Sequence, residues 1–177
     1  TDLGVLMVLI IILVFIVMAA QFESLVDPFV IMFSIPFAFT GIVLGLAVTQ
    51  TPLGVMALIG VIMLMGIVVK NGIVLIDYTI LCRERGMGII TSVVTAGKSR
   101  LRPVLMTTLT TVLGMIPMAV GTGEGSEMWR SMGMTVAWGL SVSTLITLII
   151  VPTVYAVFAA NGVKRRRRKI RKALRNN

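Results

Sequence analysis

Five apolar stretches, residues 3–20, 28–48, 53–80, 103–120 and 132–158, follow one another with only short polar breaks between them. A helix that crosses a bilayer needs roughly 20 predominantly apolar residues, so each stretch has about the length and composition of one span. A lone strand facing lipid would leave its backbone N–H and C=O groups unsatisfied, and all five are therefore read as helices. The expected fold class is all-α integral membrane. Composition agrees: of 177 residues 57% are hydrophobic and 13% charged, with mean hydropathy +1.03, whereas a soluble domain has about half and about a quarter. An autonomous water-soluble enzyme is excluded. So is a disulfide-stapled module, because Cys82 is the single cysteine.

The formal charge of +9 is not spread along the chain. Residues 164–177 hold Lys164, Arg165, Arg166, Arg167, Arg168, Lys169, Arg171, Lys172 and Arg175 with no acid, while the cations and acids of the rest cancel. A polybasic run directly after an apolar span reads as a cytoplasmic stop that contacts anionic lipid. No aromatic residues interleave with it, as single-stranded nucleic acid would want, so no nucleic-acid partner is expected. The chain thus divides into a membrane bundle over 1–162 and a cytoplasmic polybasic tail over 163–177.

Arg83, Arg85, Lys98, Arg100 and Arg102 flank the break between the third and fourth stretches, and the tail follows the fifth. Two crossings separate these cationic regions, so both can be cytoplasmic, which puts the N-terminus on the outer side. Tyr78 and Tyr155 near cytoplasmic ends and Trp129 near the outer boundary suit interfacial belts. Thr1 opens the sequence and no basic leader precedes the first span, which argues against a secretory signal peptide and favours a chain that is processed, truncated or a piece of something longer.

Gly41 and Gly45 form a GxxxG pair, and Gly60, Gly66 and Gly72 recur in the third stretch, so close helix approach is expected there. Pro36, Pro117 and Pro152 suggest kinks, whereas Pro103 suits a first helical turn. The methionines, without a histidine to support them, read as adaptable packing rather than metal ligands.

Lys70 lies deep inside the third stretch, in Gly66-Ile-Val-Val-Lys70-Asn71-Gly72-Ile-Val-Leu-Ile-Asp77. A lysine at mid-span costs at least ~2.5–3.5 kcal/mol on insertion scales unless it faces protein and finds a partner. Snorkelling to an interface is the bland reading, and a proton or ion relay is the functional one. Asp77 is on about the same helical face but roughly 10 Å along the axis, too far for a direct ion pair. Asp2, Glu23, Asp27, Glu84, Glu124 and Glu127 all lie at span ends or in loops. A counter-ion from polypeptide outside this sequence is therefore expected.

The fourth stretch adds Arg100-Leu-Arg102-Pro103-Val-Leu-Met-Thr107-Thr108-Leu-Thr110-Thr111, in which Arg100 and Thr107 are spaced to share a face. A threonine hydroxyl both donates and accepts, as a proton wire or a switchable lysine contact requires. Equally, such hydroxyls bond to their own helix carbonyls, and the arginines then merely follow the charge rule for cytoplasmic ends. The glycines at 121, 123 and 125 have no Lys-Ser or Lys-Thr after them, so nucleotide binding is rejected. Serine and cysteine lack a base, and no histidine exists, so intramembrane catalysis is not expected.

Residues 66–78 just quoted with their Tyr78, Arg100-Leu-Arg-Pro-Val-Leu-Met-Thr-Thr-Leu, Gly114-Met-Ile-Pro-Met118 and Val151-Pro-Thr-Val-Tyr155 together resemble the resistance-nodulation-division (RND) transporters, and within them the hydrophobe/amphiphile multidrug efflux branch. The resemblance runs continuously from residue 3 to about 160. It implies that the five helices are spans eight to twelve of a twelve-helix bundle. It further implies a homotrimeric proton/drug antiporter of the bacterial inner membrane, a secondary transporter and not an enzyme, working with a periplasmic adaptor and an outer-membrane channel. No cofactor is implied beyond the proton motive force. By the same resemblance Lys70 and Asn71 match the relay positions of the tenth span, Arg100 and Thr107 the polar positions of the eleventh, and Asp77 an acidic position near the cytoplasmic end of the tenth.

The departure from the family is as informative. Its paired fourth-span aspartates and its periplasmic porter domain are not in this sequence, so these residues alone are expected neither to bind drug nor to transport. The alternatives are a non-transporting membrane scaffold in which Lys70 fixes a partner helix, and an RND relative that exports metal ions or lipids.

Overall fold

A computed structural model describes residues 2–23 and 25–175. It consists of α1 (Asp2–Phe22), α2 (Val26–Met32), α3 (Ile35–Thr49), α4 (Val55–Glu84), α5 (Ile89–Val120) and α6 (Ser126–Arg175), with no strand among the described residues. The all-helical architecture expected from the sequence is thus the one observed. Because α2 and α3 together make one crossing, 5 segments are long and apolar enough to span a membrane.

The second apolar stretch does not form one rod. Between α2 and α3 the Ser34 hydroxyl donates to the Ile31 carbonyl at 2.6 Å, closing the break inside the protein. Pro36 then falls in the first turn of α3, where its missing N–H needs no partner. It starts a helix rather than kinking one. Pro103 behaves in the opposite way from its sequence expectation: α5 begins at Ile89, about four turns earlier, so Pro103 lies within the helix. Ser92 and Ala96 are buried against the bundle, and this packing extends the helix beyond its apolar stretch.

α6 is the hub, packing on α3, α4 and α5. Its residues Ser131, Thr135, Gly139, Ser143, Thr147, Val151 and Tyr155 recur every four positions and are all buried. Such an i+4 ridge of mostly small side chains lets neighbouring backbones come close, which in lipid replaces the hydrophobic drive that water would supply. Leu64, Val68, Leu75 and Ile76 of α4 and Val136 and Leu140 of α6 are nearly sealed from solvent. The Ser131 hydroxyl also donates to the Pro52 carbonyl at 2.9 Å, tying α6 to the turn before α4.

The glycine expectations divide. A Cβ at Gly45 would collide with Trp138 of α6, one at Gly41 would meet Val142 at 2.8 Å, and one at Gly72 would meet Ile31 at 2.9 Å. Gly66 has nothing within 4 Å. It faces open space.

Two elements are largely uncovered. In α1 only Met18 is buried. At the other end of the chain α6 continues as helix through the basic run to Arg175. At about 1.5 Å per residue it is far longer than the ~30 Å of hydrocarbon, and residues 161–175 are exposed throughout.

Candidate functional site: the uncovered faces of α4 and α5

Lys70 lies near the middle of α4 and is exposed. Along the same side of the helix Met63, Gly66 and Asp77 are exposed too, while the opposite side carries Leu64, Val68, Leu75 and Ile76 into the core. α4 therefore has one face packed and one face, centred on the lysine, that none of the described residues covers. No hydrogen bond or ion pair of Lys70 exists among the described residues. The inference that its counter-ion lies outside this sequence rests on the same absence of a mid-span carboxylate.

Asn71, the next residue, is buried at 7% exposure. Consecutive helix residues point about 100° apart, so Asn71 enters the bundle while Lys70 leaves it. Asp77 shares the open face with Lys70, two turns on.

On α5, Arg100 is half-buried. Its Cζ lies 4.8 Å from the centroid of the Tyr78 ring on α4, and its Nε is buried without a hydrogen-bond partner. Thr107 is exposed, and its hydroxyl donates to the Pro103 carbonyl at 3.0 Å. Thr110 and Thr111 do likewise, to Met106 at 2.8 Å and to Thr107 at 2.9 Å. In this structure these hydroxyls satisfy their own helix, and Arg100 and Thr107 do not share one environment. The threonine that crosses between helices is Thr108, buried and 3.2 Å from the Thr144 hydroxyl of α6.

Sequence reasoning missed that contact, because Thr108 is one of four threonines in five residues and nothing local distinguishes the inward one. It also did not foresee that Tyr78 and Tyr155 each receive an arginine from another helix: Arg100 over Tyr78, and Arg83 Nη1 donating to the Tyr155 hydroxyl at 3.1 Å. Among the described residues no group of His, Cys, Asp and Glu is disposed to hold a metal ion.

Residues 1–159 match the AcrB/AcrD/AcrF family. The chain belongs to that family. It is a membrane region of an RND transporter. It is 42% identical over 160 residues to the swarming motility protein SwrC of Bacillus subtilis, covering 90% of this chain and 15% of SwrC. To the multidrug resistance protein MdtC of Erwinia tasmaniensis it is 38% identical over 143 residues, which is 80% of this chain and 14% of that protein. To the cobalt-zinc-cadmium resistance protein CzcA of Cupriavidus metallidurans it is 37% identical over 155 residues, 88% of this chain and 15% of CzcA. A crystal structure of a heavy metal efflux pump superposes with TM-score 0.80 at 30% identity, covering 89% of this chain and 15% of that one. The chain therefore spans about a seventh of the length of these relatives. Their names divide among drugs, metal ions and motility, so the family is shown and the multidrug branch is not singled out. The basic helix beyond residue 159 lies outside the family match.

Proposed function

We propose that this chain is the C-terminal membrane part of a proton-driven efflux pump, and that it supplies the lysine and threonine half of a proton relay whose carboxylates lie elsewhere in the protomer. The observation that carries this reading is Lys70: a cation at the middle of a spanning helix, on a face left bare, with no counter-ion among the described residues. Intramembrane charges face a partner or a pathway, and the face around Lys70, with Gly66 open beside it, suits another helix at close range.

In the proposed cycle Lys70 pairs with ionised carboxylates of that helix. Protonation from the periplasmic side neutralises them and frees the lysine, and the Thr107 oxygen accepts from the released ammonium while its hydroxyl keeps donating to the Pro103 carbonyl. Reionisation is opposed while the cation is away, because a carboxylate in low dielectric without its partner resists charge. The helices thereby have two packings to alternate between, an antiport step driven by the proton gradient without a resident cofactor. Asn71 and Arg100 belong to the proposal as groups that position α4 and α5. Asp77 belongs to it as the acid at the basic end of the open face.

The setting proposed is a homotrimer in a bacterial inner membrane, with an adaptor and an outer channel, the N-terminal end of α1 periplasmic and the basic end of α6 cytoplasmic. Drugs are the proposed cargo. Metal ions are the second reading, favoured by the likeness to CzcA and to the heavy metal pump. The test is Lys70→Ala in the complete polypeptide: efflux should be lost while the trimer still assembles. Efflux retained at normal abundance overturns the relay. Full activity of Lys70→Met would instead favour the scaffold reading, since methionine fills similar volume without charge.

A further inference from the structure

At the basic end of the bundle, where α1 ends, α2 begins and α4 ends against α6, a cleft of about 620 Å³ opens, well within the ~300–1,000 Å³ usual for small-molecule sites. Four charged side chains line it: Arg83 and Glu84 from α4, Asp27 from α2 and Arg166 from α6. Phe22 and Phe158 supply apolar walls. Arg83 is held by its bond to Tyr155, which is buried at 4% exposure and also lines the cleft. Phe158 is set by an edge-to-face contact with Phe29 at 6.1 Å.

We propose that this cleft binds the headgroup of a zwitterionic glycerophospholipid drawn from the adjoining leaflet. Within the lining two guanidiniums are matched by two carboxylates, so a ligand carrying both signs satisfies both pairs, whereas a simple anion leaves the carboxylates unanswered. Arg83 and Arg166 present forks matched to a phosphodiester, and Asp27 and Glu84 receive the ammonium. The acyl chains leave along Phe22 and Phe158 toward the apolar flanks of the helices. The depth is appropriate, because the cleft lies where α2 starts and α4 ends, at the level a bilayer places its headgroups. The inference goes beyond transport and is independent of Lys70, which does not line the cleft.

The test places a reporter in the wall. In the complete polypeptide, Phe158→Trp is reconstituted with brominated phosphatidylethanolamine or brominated phosphatidylglycerol at equal mole fraction, and the quenching is read against the parent protein. The expected result is preferential quenching by the ethanolamine lipid, about fivefold in apparent affinity, as one charge contact at an interface gives. Asp27→Asn with Glu84→Gln should remove that preference, and added inorganic phosphate should not reverse it. Equal quenching by both lipids means ordinary annular contact and overturns the proposal. Stronger quenching by the glycerol lipid marks an anion site, displacement by phosphate marks a free-phosphate site, and quenching by neither means that protein fills the cleft; each overturns it. Phe22→Trp on the opposite wall repeats the measurement should Phe158→Trp not fold.

Discussion

Arg100 of α5 lies across the face of Tyr78 of α4, its Cζ 4.8 Å from the ring centroid. The contact joins two helices at a point where the Nε of the same arginine has no hydrogen-bond partner. A cation over an aromatic face is worth about 0.5–1 kcal/mol when exposed and ~2 when desolvated. Tyr78→Leu should therefore lower the stability of the purified protein by about 1 kcal/mol, while Tyr78→Phe, which keeps the ring, should be close to neutral. Equal losses in the two variants, measured by thermal or denaturant unfolding in detergent, would assign the contact to the hydroxyl instead.

Lys70 should show opposite signs in two settings. In the segment alone, Lys70→Leu removes an uncompensated cation and should improve membrane insertion of α4 by ~2.5–3.5 kcal/mol, read from an insertion assay with engineered glycosylation sites. In the complete polypeptide the same change should abolish efflux. A substitution that is favourable to insertion yet fatal to export separates a functional charge from a structural one.

Gly45 and Gly66 make a matched pair for the packing argument. Gly45→Ala puts a methyl into Trp138, and such overpacking costs about 1–3 kcal/mol. Gly66→Ala meets nothing within 4 Å, so in the segment alone it should stabilise α4 by up to ~1 kcal/mol through helix propensity. In the complete polypeptide Gly66→Ala should lose that gain where the partner helix closes on it. Unfolding of both variants in both contexts is the measurement.

Thr108 and Thr144, with hydroxyls 3.2 Å apart, should couple. Either single change to valine leaves a buried hydroxyl without its partner, while the double change removes both. Interhelical bonds of this kind in membranes average ~0.6 kcal/mol and reach about 1.7. A double-mutant cycle that returns no coupling would show that each hydroxyl is satisfied by its own helix.

The helices were legible because lipid leaves a spanning backbone few choices, and the apolar stretches locate the crossings. Their ends were less so. Residues 89–102 contain too many polar groups to read as a span, yet Ser92 and Ala96 pack inward and the helix begins at Ile89. Pro36 illustrates the same limit: the ring that kinks a helix interior also suits a first turn, and only the buried Ser34 bond to Ile31 decides which. At the candidate site Lys70 was legible from the cost of its charge alone. The direction of each threonine was not, because the choice between a carbonyl of the same helix and a neighbour depends on α6 passing beside Thr108. The arginine contacts to Tyr78 and Tyr155 were hidden for a similar reason, since residues 22 and 72 positions away meet only after folding.

α1 contributes a single buried residue, Met18, whereas α3, α4 and α5 all lock onto α6. Mechanically the molecule is a post with a lightly seated outrigger. Force applied at Asp2 would travel down α1 and reach the post through the short α2 and through Met7, Ile11, Val14 and Met18 along its length, so the joint between α4 and α6 would feel it last.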